Sequence, residues 1–387
     1  MLFGQECIKY KGKWGLYDLR RPKFCRGKPC LMLRILKKSV PKIKKEFEGL
    51  PPSVFVGRYN YPNVNIGVLS PPEIMSDSWK YDAPGYWYQH RFGVFEILKM
   101  RYALVHSRDR TNIKSMNRFL QAIQEIVLST HPVRTEFRLK KEPRFVFSLS
   151  QIYAPLGPTG EVERVHITEN PKIPKKVEYI VNDQIKAEEG ISRLAKIMSL
   201  EHIQKIFSVG LLGLWKKIVP TRYSITAVDD ILAKHLIKKI KDCPLINEIT
   251  LFKNSYLGNR FWIVLLPNYW EFEMIEKWEK YNWISDYEPY EGRKDYAKNV
   301  TGGYYAARLA VCEYLAQIKR QASVIVIRII NNYSSLGVWV IRETVRGGLN
   351  KKPIKFDSLE ELSHHIPKIK SKIILNIKSQ RKVSDFS

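Results

Sequence analysis

The sequence predicts an α+β fold, a mixed sheet with packed helices, because two hydrophobic periods occur in one chain. Residues 53–69 alternate like strands and are interrupted by glycine and proline. Residues 112–130 instead repeat apolar side chains at the spacing of an amphipathic helix. The composition, with 44% hydrophobic and 12% aromatic residues among 387, supplies material for packed cores and excludes a disordered chain.

The charge balance is the strongest feature of the composition. Lysine and arginine number 65 against 38 aspartates and glutamates, which gives a net charge of +27. Such a balance predicts salt-sensitive binding to a polyanion, and inside a cell the usual polyanion is nucleic acid. DNA is the expected partner, and RNA is an alternative that fits the same charge. The apolar runs are too short to cross a bilayer and the N-terminus has no apolar signal region. We therefore expect a soluble, cytoplasmic protein with no membrane partner.

The first 30 residues contain three of the five cysteines, Cys7, Cys25 and Cys30. Zinc takes four ligands in structural sites, and the first histidine of the chain is His90. One interpretation is a small zinc knuckle whose fourth ligand is Asp18 or a residue from elsewhere. The other is a degenerate basic arm with buried cysteines.

The same region is strongly basic. Residues 1–48 hold 14 lysines and arginines against 4 acidic residues. We expect residues 1–32 to form a small Cys-bearing segment of degenerate zinc-knuckle type, and the arm to contact phosphates. A solvated basic arm is the alternative.

Further elements follow from pattern and length. An aromatic loop over residues 81–87 is expected to pack against the body, and base stacking is the alternative. Predicted strands cover residues 144–150, 259–267, 323–330 and 337–343, the last two as a hairpin or neighbouring strands. Predicted helices cover residues 182–207, 231–241, 270–280 and 304–320, and Ser358 opens the last helix. Arg328 lies in an otherwise apolar strand and requires a partner, either Glu343 or Asp295 or a bound anion.

Two stretches, residues 220–230 and 293–308, place arginine, aspartate, threonine and tyrosine beside glycine or proline turns at helix starts. Such stretches more often form a site than a scaffold. The candidate residues for phosphate or nucleic-acid binding are Thr221, Arg222, Asp229, Asp230, Arg293, Asp295, Tyr304 and Arg308.

Each of these stretches also has a structural interpretation. Asp229 or Asp230 is expected to cap the helix that follows it, and the adjacent carboxylates could instead hold a divalent metal with substrate phosphates. The glycine pair 302–303 either admits a phosphate onto free N–H groups or lets the helix pack closely. The residues assign no catalytic role, and whether the protein is an enzyme stays open.

The C-terminal residues 379–387 form a predicted flexible tail. Gln380, Val383 and Phe386 follow the spacing Q-x-x-h-x-x-a, in which a glutamine fills a polar pocket and one 3₁₀ turn presents apolar plugs. Sliding-clamp binders use this arrangement, and Ser387 stands where a second aromatic is usual. The tail is therefore predicted to bind a clamp.

Long strings of the sequence carry a resemblance to a known family. They cover residues 60–73, 157–183, 219–230, 286–315 and 337–346. With these strings the chain resembles the archaeal Nre family of DNA-repair proteins. The resemblance implies a role in the repair of damaged DNA and binding of the clamp PCNA through the C-terminal motif, here Gln380, Val383 and Phe386. It also implies a division into an N-terminal-type body, residues 33–285, and a C-terminal-type region, residues 286–378.

The resemblance extends to an N-terminal zinc site with two cysteine pairs, C-x-x-C and C-x₄-C. Cys7, Cys25 and Cys30 match these positions, and Tyr10 replaces the remaining cysteine. The ligand set is incomplete, so zinc is lost or is held by three thiolates and a substitute.

Two functional hypotheses result. The first is a DNA-repair factor that the sliding clamp recruits and that binds nucleic acid through basic surfaces. The second is an enzyme, a nuclease or nucleotide-processing protein, with a phosphate site assembled from residues 220–230 and 293–308. The second hypothesis requires that these two stretches converge in one pocket.

Overall fold

Strands and helices both occur along the chain, and the strands form two mixed sheets of six strands each. This confirms the predicted α+β class. The computed structural model describes residues 43–144, 152–278, 281–331 and 336–379. These residues divide into two compact units. The first unit extends to Leu232 and includes Leu336 and Gly337, and the second contains the other described residues from Ala233 onward.

The sheet of the first unit has the order β1-β5-β6-β4-β3-β2. All its pairs are antiparallel except β4 and β6, which are parallel. Its strands are β1 (Glu46–Gly49), β2 (Ser53–Val56), β3 (Asn63–Ser70), β4 (Val105–Asn112), β5 (Thr135–Leu139) and β6 (Thr159–Ile167). The strands predicted over residues 53–69 are therefore confirmed as β2 and β3. The strand predicted over residues 144–150 lies almost wholly outside the described residues.

The first unit also contains helices, several of which pack on this sheet through their apolar sides. They are α1 (Pro84–Gln89), α2 (Val94–Ala103), α3 (Arg118–Leu128), α4 (Lys175–Asn182), α5 (Ala187–Leu194) and α6 (Leu200–Ser208), and α7 (Thr221–Lys241) follows. The main core joins β2, β3 and β5 to α3–α6 and contains Val54, Ile66, Ile123, Ile180 and Ile206.

Two of these helices refine the sequence-based expectations. The helix predicted over residues 112–130 is shorter, because Asn112 ends β4 and the Asn117 side chain accepts a hydrogen bond from the N–H of Leu120 at 2.8 Å, which caps α3. The pattern over residues 182–207 resolves into α5 and α6. The segment predicted as an aromatic loop over residues 81–87 instead enters helix α1 at Pro84. It is packed as expected, because Trp87 is fully buried and its indole N–H donates to the carbonyl of Lys80 at 2.6 Å.

The sheet of the second unit has the order β10-β9-β11-β8-β7-β12, with β9 and β11 parallel and the other pairs antiparallel. Its strands are β7 (Ile249–Tyr256), β8 (Asn259–Leu266), β9 (Glu271–Trp278), β10 (Ile284–Glu288), β11 (Ser323–Ile330) and β12 (Ile354–Phe356). Its helices after α7 are α8 (Gly302–Ile318), α9 (Trp339–Leu349), α10 (Leu359–Ser363) and α11 (Lys372–Ser379). One core, which includes Ile325, Ile327, Leu362 and Ile373, joins this sheet to α10 and α11.

The helix predicted over residues 270–280 is wrong, because most of the segment forms β9 between β10 and β11. In the structure, Glu273 and Glu276 are buried, and each has a tertiary partner: Ser371 donates to Glu273 at 2.6 Å, and Arg328 donates to Glu276 at 2.6 Å. Long-range partners therefore allow carboxylates within an interior strand.

The strand predicted over residues 337–343 is also wrong, since the segment begins helix α9. Short apolar runs do not distinguish a buried strand from a buried helix. Here α9 is buried around most of its circumference, including Arg342 and Glu343. The expected pairing with β11 does not occur, and β11 pairs with β8 and β9 instead.

Two helix starts also differ from expectation. The helix α7 begins at Thr221, so Asp229 and Asp230 lie inside it and cap nothing. Ser358 does cap a helix, accepting from the N–H of Glu361 at 3.1 Å, but that helix is α10 and α11 follows it. None of the helices in the described residues is long and apolar enough to cross a membrane.

Candidate nucleic-acid interface

Three segments of the first unit adjoin one another and form what we call the basic aromatic surface: residues 57–62, 112–118 and 213–223. Backbone hydrogen bonds connect them. The N–H of Ile113 donates to the carbonyl of Pro62 at 3.0 Å, and the N–H of Ile218 donates to the carbonyl of Ile113 at 3.0 Å. The surface thus lies where the β2–β3 turn and the end of β4 meet the chain that enters α7.

Large apolar side chains protrude from this surface. It holds six of the nineteen large hydrophobic side chains that are exposed among the described residues. Trp215 is 82% exposed, Tyr59 70% and Tyr61 62%. The other three are Met116, Leu214 and Tyr223. Contiguous exposed apolar groups of this kind mark interaction sites.

The charge of the same segments is uniformly positive. They contain no aspartate or glutamate. Their cations are Arg58, Lys114, Arg118, Lys216, Lys217 and Arg222. A surface that carries only positive charges raises the local concentration of a polyanion.

Cations and rings are paired within the surface. The guanidinium of Arg58 lies 5.0 Å from the centre of the Tyr59 ring, and its Nη2 donates to the Tyr59 hydroxyl at 3.2 Å. That hydrogen bond lowers the pKa of Tyr59. The Lys217 ammonium lies 5.8 Å from the Trp215 ring centre. Each ring therefore presents an aromatic face beside a positive charge.

The loop that carries Trp215 is tightly held. Gly210 has φ +78°, and a Cβ on it would lie 2.9 Å from the backbone nitrogen of Ile218, so only glycine fits under the returning chain. Lys216, at φ +42°, adopts the left-handed region that a non-glycine residue visits at a cost. Backbone strain of this kind concentrates at functional positions.

The predicted site residues of α7 divide in their roles. The Thr221 hydroxyl accepts from the N–H of Val56 at 2.8 Å and lies 3.2 Å from Ser208 Oγ. Asp229 is fully buried and accepts from Gln204 Nε2 at 3.0 Å. Of this group, Arg222 joins the basic aromatic surface, and Thr221 supports it from beneath.

The metal expectations remain predictions. The partly buried Asp230 adjoins Asp229, whose side chain is bonded to Gln204. Within the four described ranges, no group of three or more His, Cys, Asp or Glu side chains is arranged to hold a metal ion. The zinc candidates Cys7, Cys25 and Cys30 lie outside the described residues, as do the clamp-binding candidates Gln380, Val383 and Phe386.

In the second unit the predicted residues gather around carboxylates of β10. Glu288 accepts from the Tyr304 hydroxyl at 2.6 Å and from Arg308, and all three side chains are buried. Arg293 donates to Asp286 at 2.9 Å. Burial raises the pKa of Tyr304.

Asp295 itself is exposed and contributes its backbone carbonyl, which accepts from Arg293 Nε at 2.8 Å. The structure thus unites Arg293, Tyr304 and Arg308 around protein carboxylates. Phosphate binding by these residues stays a prediction.

The two glycines at the start of α8 serve close packing. Both are buried, and a Cβ on Gly303 would lie 2.9 Å from Ile341 Cδ1 of α9.

Arg328 has partners other than those expected. It donates to Glu276 at 2.6 Å and to Asn259 Oδ1 at 2.6 Å, which are contacts between neighbouring strands.

Sequence reasoning missed Trp215 and its neighbours, although a signal was present. Leu214 and Trp215 precede two lysines between Gly213 and Pro220, a place where a core residue has no helix or strand to carry it. An aromatic side chain beside lysines in a glycine-bounded loop is a binding pattern as much as a packing pattern.

Comparisons with known proteins agree with the sequence-based resemblance. Residues 24–284 match the family model described as archaeal Nre, N-terminal, and residues 288–386 match archaeal Nre, C-terminal. The chain is 37% identical to DNA repair protein NreA of Archaeoglobus fulgidus, over 80% of this chain and 82% of the relative.

Two further relatives are similar over most of their length. DNA repair protein NreA of Haloferax volcanii is 32% identical, with 83% of each chain covered. DNA repair protein NreB of Archaeoglobus fulgidus is 33% identical over 94% of this chain and 93% of the relative. No solved structure matches the chain significantly. The two family models together cover nearly the whole sequence, and the chain belongs to the archaeal Nre family.

Proposed function

We propose that this protein is a cytoplasmic DNA-repair factor that binds DNA through the basic aromatic surface. The sliding clamp PCNA recruits it to DNA. Three curated relatives that match most of the chain are named as DNA repair proteins. The net charge of +27 favours a polyanionic partner such as nucleic acid over a neutral or basic one.

The observation that carries the proposal is the composition of the basic aromatic surface. Six cations and six exposed large apolar side chains occur in three adjoining segments without a single carboxylate. Lysine and arginine would contact phosphates and supply affinity, and the apolar side chains would contact sugars and bases.

The C-terminal tail supplies the second contact of the proposal. Gln380, Val383 and Phe386 have the spacing of a clamp-binding motif. A weak tail contact and a moderate DNA contact reinforce each other when clamp and DNA are already joined, because the second binding event becomes intramolecular. Recruitment then needs no high affinity from either contact alone.

The proposal that this surface binds DNA is tested by removing the charges of an exposed lysine pair in the surface and, as a control, those of an exposed pair outside it. Lys216→Gln/Lys217→Gln removes two cations of the surface, and Lys175→Gln/Lys176→Gln is a matched control at an exposed pair on α4. The first variant should weaken DNA binding and reduce the slope of log K against log salt by about 0.9 for each duplex phosphate that the protein no longer neutralises. Equal effects of both variants would show that only overall charge matters.

The clamp part is tested separately by size-exclusion chromatography with PCNA. The full chain should co-elute with the clamp, and a version that ends at Ser379 should not, although its binding to bare DNA should be unchanged. Co-elution of the shortened protein would remove the tail from the proposal and leave the DNA part untouched.

A further inference from the structure

The basic aromatic surface offers ring faces in addition to charge. Base pairs inside a duplex are stacked on each other, so exposed rings have no base face to contact there, whereas unpaired bases stack readily on aromatic side chains. Trp215 is 82% exposed and Tyr59 and Tyr61 are nearly as accessible. A surface that met only the duplex backbone would need its lysines and arginines and would gain little from these rings.

From this we infer that the basic aromatic surface binds single-stranded DNA by stacking unpaired bases on Trp215, Tyr59 and Tyr61. This inference rests on the proposed function and narrows its substrate class from DNA to unpaired strands. The rings belong to two segments, the β2–β3 turn and the loop before α7, so a strand lying across both would meet more than one stacking position.

The cations are placed to follow the backbone of such a strand. Arg58 lies against Tyr59, Lys217 lies near Trp215, and Arg222 is in the first turn of α7. A ring with a neighbouring cation matches the alternation of base and phosphate along a single strand. The hydrogen bond from Arg58 to the Tyr59 hydroxyl also raises the pKa of the guanidinium.

The surface is ordered before any ligand arrives. Gly210 closes beneath the Trp215 loop, the N–H of Lys216 donates to the carbonyl of Gly213 at 3.2 Å, and Lys216 is held at a positive φ. At the other segment, Asn112 Nδ2 donates to Asn63 Oδ1 at 3.1 Å across β4 and β3. Pre-ordered contacts lower the entropic cost of binding a flexible strand.

The test compares affinities of the full protein for thymidine oligonucleotides of about 16 nucleotides and for a blunt duplex of the same length. Fluorescence anisotropy with labelled DNA measures both. We expect the single strand to bind at least tenfold more tightly than the duplex. Trp215→Ala should weaken single-strand binding by about 5- to 150-fold, the range of one base stack, and change duplex binding much less.

Tyr179→Ala is the matched control, because Tyr179 is exposed to the same extent as Tyr59, 70%, and lies in the same unit outside the surface. It should leave both affinities unchanged. Trp215→Phe should recover much of the affinity, since phenylalanine keeps a ring face. Both substituted side chains are exposed, and a thermal melt checks that each variant folds.

The outcomes separate the inference from the proposed function. Duplex binding equal to single-strand binding, or a Trp215→Ala variant that binds single strands like the parent, would overturn the inference and leave DNA binding in place. Failure of the parent to bind either polymer would overturn the DNA part of the proposed function. Tighter binding of a uridine RNA oligonucleotide than of the thymidine oligonucleotide would overturn the assignment to DNA.

Discussion

The backbone N–H of Val56 donates to the side-chain oxygen of Thr221 at 2.8 Å, across 165 residues of sequence. Val56 is the last residue of β2 and Thr221 is the first of α7. This contact brings Arg58 and Tyr59 beside Arg222 and Tyr223, and Tyr59 and Tyr223 both raise the pKa of Arg58. One partly buried hydroxyl therefore connects two parts of the basic aromatic surface.

Loss of the Thr221 hydroxyl should lower the stability of the folded protein. Thr221→Val keeps the shape of the side chain but leaves the N–H of Val56 without its acceptor, which should lower the free energy of unfolding by about 1–3 kcal/mol. Thr221→Ser keeps the hydroxyl and should be less destabilising. Denaturant unfolding of both variants measures the difference, and equal destabilisation would mean that the methyl group matters more than the hydrogen bond.

Burial of His106 should make stability depend on pH. Burial lowers the pKa of His106 to about 3, with Arg108 and Arg101 acting in the same direction, and its Nε2 has no partner among the described residues. The unfolded chain takes up this proton near pH 6.5, and the folded chain does so only near pH 3. The stability that the neutral His106 side chain contributes is therefore fully present above pH 6.5 and is lost as the pH falls toward 3.

The measurement is the free energy of unfolding between pH 6 and 4. His106 alone should account for a decrease of about 1.4 kcal/mol per pH unit in this window. His106→Leu removes the titration, so its unfolding free energy should fall less steeply by that amount. Parallel curves for the two proteins would show that His106 is protonated in the folded state over this range.

The buried pair of Arg308 and Glu288 is expected to be strongly coupled. Arg308 and Glu288 are almost completely buried, and Tyr304 donates to the same carboxylate at 2.6 Å. Arg308→Met alone leaves a buried carboxylate without its cation and should cost about 3–5 kcal/mol. The double variant Arg308→Met/Glu288→Leu should recover part of this stability.

A double-mutant cycle in denaturant unfolding separates this structural role from ligand binding. A structural pair should give a coupling energy above about 1 kcal/mol in the absence of any ligand. Independent, additive effects would weaken the structural interpretation and favour the prediction that Arg308 binds a phosphate.

Two glycines of the first unit should respond to alanine in opposite directions. A Cβ on Gly157 would overlap the carbonyl oxygen of Leu104 and lie 3.0 Å from that of Arg101, whereas a Cβ on Gly85 would meet nothing within 4 Å. Gly157→Ala should therefore lower the thermal midpoint. Gly85→Ala lies in helix α1 and should be neutral or stabilise by up to about 1 kcal/mol. A Gly157→Ala protein as stable as the parent would mean that the loop shifts without cost.

Where the local pattern carried the information, sequence and structure agree. The strand Asn259–Leu266 and the helix Gly302–Ile318 were predicted from their lengths and residue mixtures, and both form in the structure. The segments of β9 and α9 were misassigned because their neighbours, rather than their own residues, decide their conformation. Glu276 is acceptable in a strand only beside Arg328, and α9 buries Arg342, Glu343 and Thr344 together with its apolar side chains.

The sequence by itself determined the family, the excess of positive charge and the α+β class, since these depend on residue identity and local periodicity alone. Only the tertiary structure decided which charges are available to a ligand. Arg308 and Arg328 look like anion ligands in the sequence, and the fold pairs them with Glu288 and Glu276. Trp215 drew no attention in the sequence, and the fold leaves it exposed beside lysines. The physical reason is that pairing and exposure depend on residues far apart in the chain, which no local pattern encodes.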